Sequence, residues 1–251
     1  MRVNFHTHTT RCGHAKGTDE EYVEAAIAAG IQVLGFSDHI PWPTEFPSLP
    51  ELHMAWEQAK DYAASVRSLQ KKYDGKIQIL LGFEAEYLPQ VFERQQELCR
   101  ELQADYQILG QHFLTAGDLS CYAGQKTEEE KRLTRYVDTV LEGLETGAYR
   151  YLCHPDLIHF VGDPKIYRRE MLRLCRQIRK LGYPLEINLL GLGEGRHYPN
   201  EAFWAIAGEV GNPVILGMDA HDPAQLTNES VWEKGLALAK KYQLRVVDNI
   251  F

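Results

Sequence analysis

Histidines and carboxylates recur along this chain in short groups: His6-Thr-His8, Ser37-Asp38-His39, Glu84-Ala-Glu86, Gln111-His112, His154-Pro-Asp156 and Asp219-Ala-His221. Imidazole with carboxylate is the ligand chemistry of Zn²⁺, Mn²⁺ and Fe²⁺, and the scarcity of cysteine in these groups disfavours a sulfur-bound site. Cys153, beside His154, is the exception. Alternate side chains of an extended segment share a side, so His6 and His8 can chelate one ion, and Asp219 and His221 stand in the same relation. The donors outnumber what a single ion can take up. More than one divalent ion is therefore expected, with Glu84 as a carboxylate able to bridge two of them. Glu86 reads as a residue that orients a neighbouring ligand.

These groups need elements that carry them to one place. Each follows a short apolar run: Val3–Phe5, Ile31–Phe36, Ile77–Phe83, Tyr106–Leu109, Tyr149–Cys153, Leu185–Leu189 and Val214–Met218, with a last run at Arg245–Ile250. Nearly continuous apolar stretches of this length are the mark of strands buried on both faces of a parallel sheet. Helical patterns lie between them. Thr18-Asp-Glu-Glu21 spells a capping box, and helices read across Glu51–Tyr73, Gln90–Gln103, Thr127–Thr146, Ile166–Leu181, Glu201–Val210 and Ser230–Tyr242. Gly30, Gly147, Gly182 and Gly211 each close one of these. The charged runs Glu128–Arg132 and Tyr167–Glu170 read as solvated helix faces, and His53 as a surface or packing residue in a helix. Alternation of this kind predicts an α/β fold, a β/α barrel in a single domain over residues 1–251, with an open doubly wound sheet as the alternative. In a barrel the catalytic groups project from the C-terminal ends of the strands, which is where these histidines and carboxylates fall.

Composition removes several function classes. With 44% hydrophobic and 25% charged residues the chain can bury a full core. A net charge of −8 argues against a nucleic-acid surface, though not against an anionic substrate met by bound cations. The five cysteines never form a CxxC, so no disulfide framework or thiolate zinc site is indicated. No leader and no membrane-length apolar run is visible, and a cytoplasmic enzyme with a small-molecule partner is expected. Composition carries nothing on oligomeric state.

Taken together, His6-Thr-His8, His14, Ser37-Asp38-His39, Gly82-Phe-Glu84, His112, His154 and Asp219-Ala-His221 resemble the motif set of the PHP (polymerase and histidinol phosphatase) family. The likeness runs from residue 3 to about residue 225, and Asp38-His39-Ile-Pro, Gly82–Tyr87, Gln111–Phe113 and His154–Leu157 resemble its histidinol-phosphatase branch. The resemblance implies a distorted seven-stranded, TIM-like β/α barrel with up to three divalent ions, Zn, Mn or Fe. By it, His6, His8, Glu84 and Asp219 hold the first ion. Glu84 bridges to a second, bound also by His112 and His154, and His14, His39 and His221 hold the third. His14 is a ligand only on this ground. Asp38 then assists as a proton relay or by orienting a ligand.

The implied reaction is hydrolysis of a phosphomonoester, L-histidinol phosphate in the branch, by a hydroxide shared between two ions that attacks phosphorus in line. Arg196 is the candidate phosphate clamp, since a guanidinium can bind two oxygens, and His197 beside it joins the candidate substrate contacts. The segment Leu189–Gly195 departs from the branch pattern, and His159 stands where a basic residue able to touch phosphate is expected; both places read as substrate-facing loops and bear on substrate identity. Three rivals differ in kind: a family member acting on a nucleotide or sugar phosphate, an amidohydrolase-like enzyme cleaving a C–N bond, and a metal-binding module without activity. For the second a carboxylated lysine or a longer HxH…Asp barrel is expected, and Lys60, Lys71 and Lys76, none of which ends a strand, count against it.

Overall fold

Strand and helix alternate through the described residues, 1–46 and 51–251, of the computed structural model. The strands are β1 (Val3–Asn4), β2 (Val33–Phe36), β3 (Gln78–Ala85), β4 (Tyr106–Leu109), β5 (Leu185–Asn188), β6 (Pro213–Gly217) and β7 (Arg245–Val246). The helices are α1 (Asp19–Ala28), α2 (Ala59–Lys72), α3 (Phe92–Glu101), α4 (Glu130–Glu145), α5 (Pro164–Leu181), α6 (Leu189–Glu194), α7 (Glu201–Val210), α8 (Pro223–Leu226) and α9 (Glu229–Lys241). Sheet order is β1-β2-β3-β4 in one sheet and β5-β6-β7 in another, with parallel pairing of β1 to β2, β2 to β3 and β6 to β7. The residues form two compact units: Met1–Ala85, Pro89–Ile108 and Gly217–Glu229 in the first, and Glu86–Leu88, Leu109–Leu216 and Ser230–Phe251 in the second.

Local chemistry accounts for most element boundaries. Thr18 accepts a hydrogen bond from the Glu21 amide while Glu21 reaches back to the Thr18 amide, so the capping box starts α1 as its spelling predicts. Asp163 caps α5, Pro164 opens it, and Gly182 ends it in the left-handed conformation (φ 86°) that costs glycine little. Along α4, Leu133, Tyr136, Val137, Val140, Leu141 and Leu144 are buried at helical spacing, which gives the helix one apolar side. In the second unit α5 packs against both α4 and α7.

Four expectations need correction. The run Tyr149–Cys153 pairs over less than its length: Leu152 bridges Leu109 and Leu185 in parallel, with the Leu109 amide donating to the Tyr151 carbonyl at 3.0 Å and the Cys153 amide to the Leu109 carbonyl at 2.8 Å. The helix expected from Glu51 starts later, with a tight turn at Trp56–Gln58 before α2, so His53 lies outside it and is 4% exposed. Leu189–Glu194 is a short helix, not an irregular loop; Asn188 caps it by accepting from the Gly191 amide at 2.8 Å. The charged runs are more than solvated faces. Arg132 donates to the Tyr122 carbonyl at 2.7 Å, and Glu170, 5% exposed, is held by Arg169 and Arg173.

Tyr106 on β4 fixes the strand ends of the first unit. Its hydroxyl lies 2.8 Å from the Phe5 carbonyl and 3.0 Å from that of Phe36, the residues that precede His6 and Ser37. The ring can cross the sheet only because Gly35 and Gly82 lack side chains: an added Cβ would come within 2.2 Å of the Tyr106 hydroxyl oxygen and 2.3 Å of its ring. Gly82 of the Gly-Phe-Glu84 motif is thus a packing requirement.

Candidate metal centre

β1 ends at Asn4, two residues before His6, so the strand alone does not set the histidines. They are set by a second pairing. Thr7 bridges Ala220 in parallel, the His8 amide donates to the Ala220 carbonyl at 2.9 Å, and the Ala220 amide donates to the His6 carbonyl at 3.2 Å. Buried Asn4 ties both segments, donating to Thr7 Oγ1 at 2.7 Å and accepting from the Met218 amide at 2.8 Å. The alternation expected for His6 and His8 therefore persists beyond the end of β1, whereas Asp219, at φ 50°, leaves the extended path and is placed with His221 by the pairing of Ala220 with Thr7. Ser37 and Glu84 are brought in the same way: the Ser37 amide donates to the Thr7 carbonyl at 2.8 Å, and His39 bridges Glu84.

The result is a dense set of donors in the first unit. Asp219 Oδ1 lies 3.1 Å from His8 Nε2 and 3.4 Å from His6 Nε2. Glu84 Oε2 lies 3.3 Å from His6 Nε2, 3.4 Å from His8 Nε2 and 3.2 Å from His39 Nδ1. The rings of His8 and His221 stack at 4.0 Å, and those of His14 and His221 at 4.6 Å. His14 is thus brought to the cluster although no strand carries it. His6 and His8 are fully buried, and Glu84 and Asp219 nearly so.

The ring orientations suit cations. Nδ1 of His14 faces the Cys12 carbonyl at 3.0 Å and Nδ1 of His221 faces that of Asp219 at 2.9 Å, contacts that hold the proton on Nδ1 and leave the Nε2 lone pair for an ion. His221 Nε2 is buried without a hydrogen bond, and the buried His8 ring faces carboxylates at both nitrogens, Asp38 at Nδ1 and Glu84 and Asp219 at Nε2. A metal ion would satisfy them, and the donor groups His6–His8–Asp219, His8–His39–Glu84 and His14–His39–His221 each converge within 4.8 Å.

Asp38 stands behind His8. Its Oδ1 lies 3.4 Å from His8 Nδ1 and accepts the His39 amide at 2.8 Å, while Thr9 bonds Oδ2. Burial pushes the Asp38 carboxyl up. For Asp219 burial acts the same way, yet the charge of His6 and contacts with His8 and His221 outweigh it and hold the carboxyl well below the usual range. Burial disfavours charge on His8, but Asp219, Asp38 and the Cys12 thiol outweigh it and raise that imidazole.

The second unit carries another histidine pair. The His112 and His154 rings lie 4.8 Å apart, and Glu86, 1% exposed, places Oε1 3.1 Å from His112 Nδ1, the orienting position expected for it. Tyr198 sets its ring 6.0 Å from that of His154. Arg196 bonds the Tyr198 hydroxyl at 2.8 Å through Nη1 and Glu194 at 2.8 Å through Nε. His159 and His197 stack at 4.0 Å, and His197 Nε2 is bound to the Leu157 carbonyl at 2.8 Å. His154 and Asp219 share a backbone feature, positive φ at 26° and 50°, which is rare outside glycine and asparagine and collects at functional positions.

Sequence reasoning missed two residues near the cluster. Cys12 is fully buried with its thiol against His14, His221 and His8, and no strand end points to it. His53 packs its ring 5.4 Å from His39 and 5.0 Å from Trp42, which also lines a cavity of about 200 Å³ with Phe46, Met54 and Trp56.

Residues 4–189 match the model of the PHP domain. The chain belongs to the PHP family. It is 30% identical over 231 residues to a probable histidinol-phosphatase of Deinococcus radiodurans, covering 88% of this chain and 86% of that one. It is 31% identical over 247 residues to the histidinol-phosphatase of Bacillus subtilis, covering 86% and 92%. Among solved structures, the histidinol phosphate phosphatase of Lactococcus lactis, crystallised with zinc, L-histidinol and phosphate, superposes with a TM-score of 0.74 at 18% identity over 99% of this chain and 96% of that one. A putative histidinol phosphatase of Listeria monocytogenes gives 0.75 at 22% over 91% and 98%. This PHP chain thus shares the fold of those phosphatases, and no helix among its described residues is long and apolar enough to cross a membrane.

Proposed function

We propose that this PHP protein is a metal-dependent phosphomonoesterase that hydrolyses L-histidinol phosphate to L-histidinol and phosphate. The observation that carries the reading is the convergence of His6, His8, His39, His221, Glu84 and Asp219, mostly buried and 3.1–3.4 Å apart across carboxylate and ring, in a chain with relatives named histidinol-phosphatase in Deinococcus radiodurans and Bacillus subtilis. His6, His8, Glu84 and Asp219 would hold one ion and His14, His39 and His221 another. His112 and His154 of the second unit would supply imidazoles to a further ion, with Glu86 orienting His112. Zn, Mn and Fe all suit this donor set.

Divalent ions at these donors would supply the charge that neutralises phosphoryl oxygens and acidifies water. The chain's own residues do the rest. Asp38 holds the His8 ring through Nδ1 and so fixes its Nε2. Asn4 and the Thr7–Ala220 pairing tie the segment carrying His6 and His8 to the segment carrying Asp219 and His221. Arg196 would bind a phosphate oxygen on leaving Glu194, with His159 and His197 as neighbouring substrate contacts.

The test is phosphate release from L-histidinol phosphate beside a panel of sugar phosphates and nucleotides, with Zn, Mn and Fe measured in the same preparation. Turnover of other esters but not of L-histidinol phosphate would reject the substrate. A metal-replete chain that releases phosphate from none would reject the reaction class.

A further inference from the structure

Gln111, next to His112, is fully buried, and every polar atom of its side chain is bonded to backbone. Oε1 accepts from the Tyr87 amide at 3.0 Å, while Nε2 donates to the Tyr87 carbonyl at 3.3 Å and to the Phe113 carbonyl at 2.6 Å. The partners fix which end is which, since only the oxygen can meet an N–H and only the nitrogen two carbonyls. The side chain thus pairs with Tyr87 as the peptide of a neighbouring strand would. Methionine would fill the same space with no polar group to satisfy, so packing does not account for a buried amide here.

Its two partners flank two residues that face each other, all within the second unit. Tyr87 follows Glu86 and Phe113 follows His112, and Glu86 Oε1 lies 3.1 Å from His112 Nδ1. The backbone around His112 is held from its far side as well. The His112 carbonyl accepts the Ala123 amide at 2.6 Å, and Phe113 bridges Tyr122. Tyr87 is seated against α4 at Gly143, where an added Cβ would come within 2.7 Å of the Tyr87 Cβ. We propose that Gln111 is a positioning residue: it holds Tyr87 so that the Glu86 carboxylate meets His112 Nδ1 and the Nε2 lone pair of that ring is turned to a divalent ion. The proposal rests on the reading that His112 and His154 take an ion, and names what sets the ring. A carboxylate at Nδ1 keeps the proton there and fixes the direction of Nε2, so a shift of Tyr87 should be felt as lost metal affinity.

The experiment titrates the metal-free full chain with zinc against a chelating indicator, with His154→Ala marking the binding step that belongs to the His112–His154 pair. At that step Gln111→Met should weaken zinc by roughly tenfold or more, the range in which an orienting partner contributes. Glu86→Gln should weaken it by a similar factor. The double variant should lose no more than about the larger single loss, because both changes act through one carboxylate contact. Gly143→Ala keeps Gln111 and displaces Tyr87 from the opposite side; it should weaken the same step and reduce the further effect of Glu86→Gln. Denaturant unfolding of the metal-free chains separates positioning from a merely structural role. Lost stability with that zinc step unchanged, or single losses that multiply in the double variant, would overturn the proposal and leave the ion at His112 and His154 standing. Should Gln111→Met not fold, Gly143→Ala with and without Glu86→Gln decides by the same criteria. If His154→Ala titrates as the unmutated chain does, the pair takes no zinc and both readings fall.

Discussion

The donor cluster around His8 and the basic loop around Arg196 differ in what holds their side chains. In the cluster, backbone pairing does it: segments 6–8, 37–39, 84 and 218–221 are hydrogen-bonded to one another, and the rings they carry are buried. In the loop, side chains hold side chains. Arg196 is 40% exposed and its guanidinium is engaged by Glu194 and Tyr198, all within a few residues of one another. A ligand entering the cluster meets donors already converged, at no cost in ordering them. A ligand taken by Arg196 must first displace Glu194, so the loop's contribution should be smaller and should vary with substrate.

The sharpest way to break this contrast is to remove what the cluster converges on. Chain purified without chelator should carry more than one equivalent of Zn, Mn and Fe combined, and exhaustive chelation should abolish phosphate release until metal is restored. Full activity at one equivalent or less would end the multinuclear reading. Next in size is Glu84, whose Oε2 faces His6, His8 and His39 together. Glu84→Gln removes charge from more than one donor group, and with metal stabilisation worth several kcal/mol the loss in kcat should be on the order of a thousandfold. Glu86→Gln, which only loosens the orientation of His112, should cost roughly tenfold to a hundredfold in metal affinity. Equal, small losses in both variants would show that Glu84 is not shared between ions.

Asn4 tests the backbone side of the contrast. It touches no candidate ion; it joins the His6–Thr7 segment to Met218. Asn4→Ala would leave buried partners unsatisfied, at a cost of about 1–3 kcal/mol for each. Denaturant unfolding should show the loss of stability, and zinc affinity should fall with it although no donor is altered. Unchanged affinity in a destabilised variant would mean that the donors are placed independently of this link.

The features read correctly in advance are those that depend on neighbours in sequence. The Thr18–Glu21 capping box and the helix over Glu201–Val210 both follow from local spacing. What escaped depends on partners far along the chain. Cys12, and His14, which only the family resemblance named, sit in and after a turn that Arg11 pins to Asp61, fifty residues away, and the fold brings them to His221. Tyr149–Cys153 has the apolar content of a strand, but bends at Arg150 and Cys153 leave Leu152 as its one bridging residue. Leu189–Glu194 contains two glycines that lower helix propensity, and its helix stands on the Asn188 cap and on Gly235, where a side chain would strike Leu189.

Arg196 is where the comparison yields its smallest expected effect. The guanidinium lies beside Tyr198, whose ring faces His154, so it is near a candidate ligand without being one. Glu194 at 2.7 Å already neutralises part of its charge, which sets what a phosphate oxygen can gain from it. A charge-assisted hydrogen bond is worth about 1.5–3 kcal/mol, and the lower end applies when a carboxylate must be exchanged for the phosphate. Arg196→Ala should therefore lose about tenfold in kcat/KM for L-histidinol phosphate at that scale. Arg196→Lys should recover only part, because an ammonium lacks the planar fork. Metal content should match the unmutated chain in both, since no donor is touched. Glu194→Gln supplies the opposing arm: freeing the guanidinium from its carboxylate should lower KM. If Glu194→Gln leaves KM unchanged and Arg196→Ala leaves kcat/KM unchanged, the pair is a surface ion pair and the phosphate is held by other groups. A loss in Arg196→Ala that tracks missing metal would instead make its role the support of Tyr198 and, through that ring, of His154.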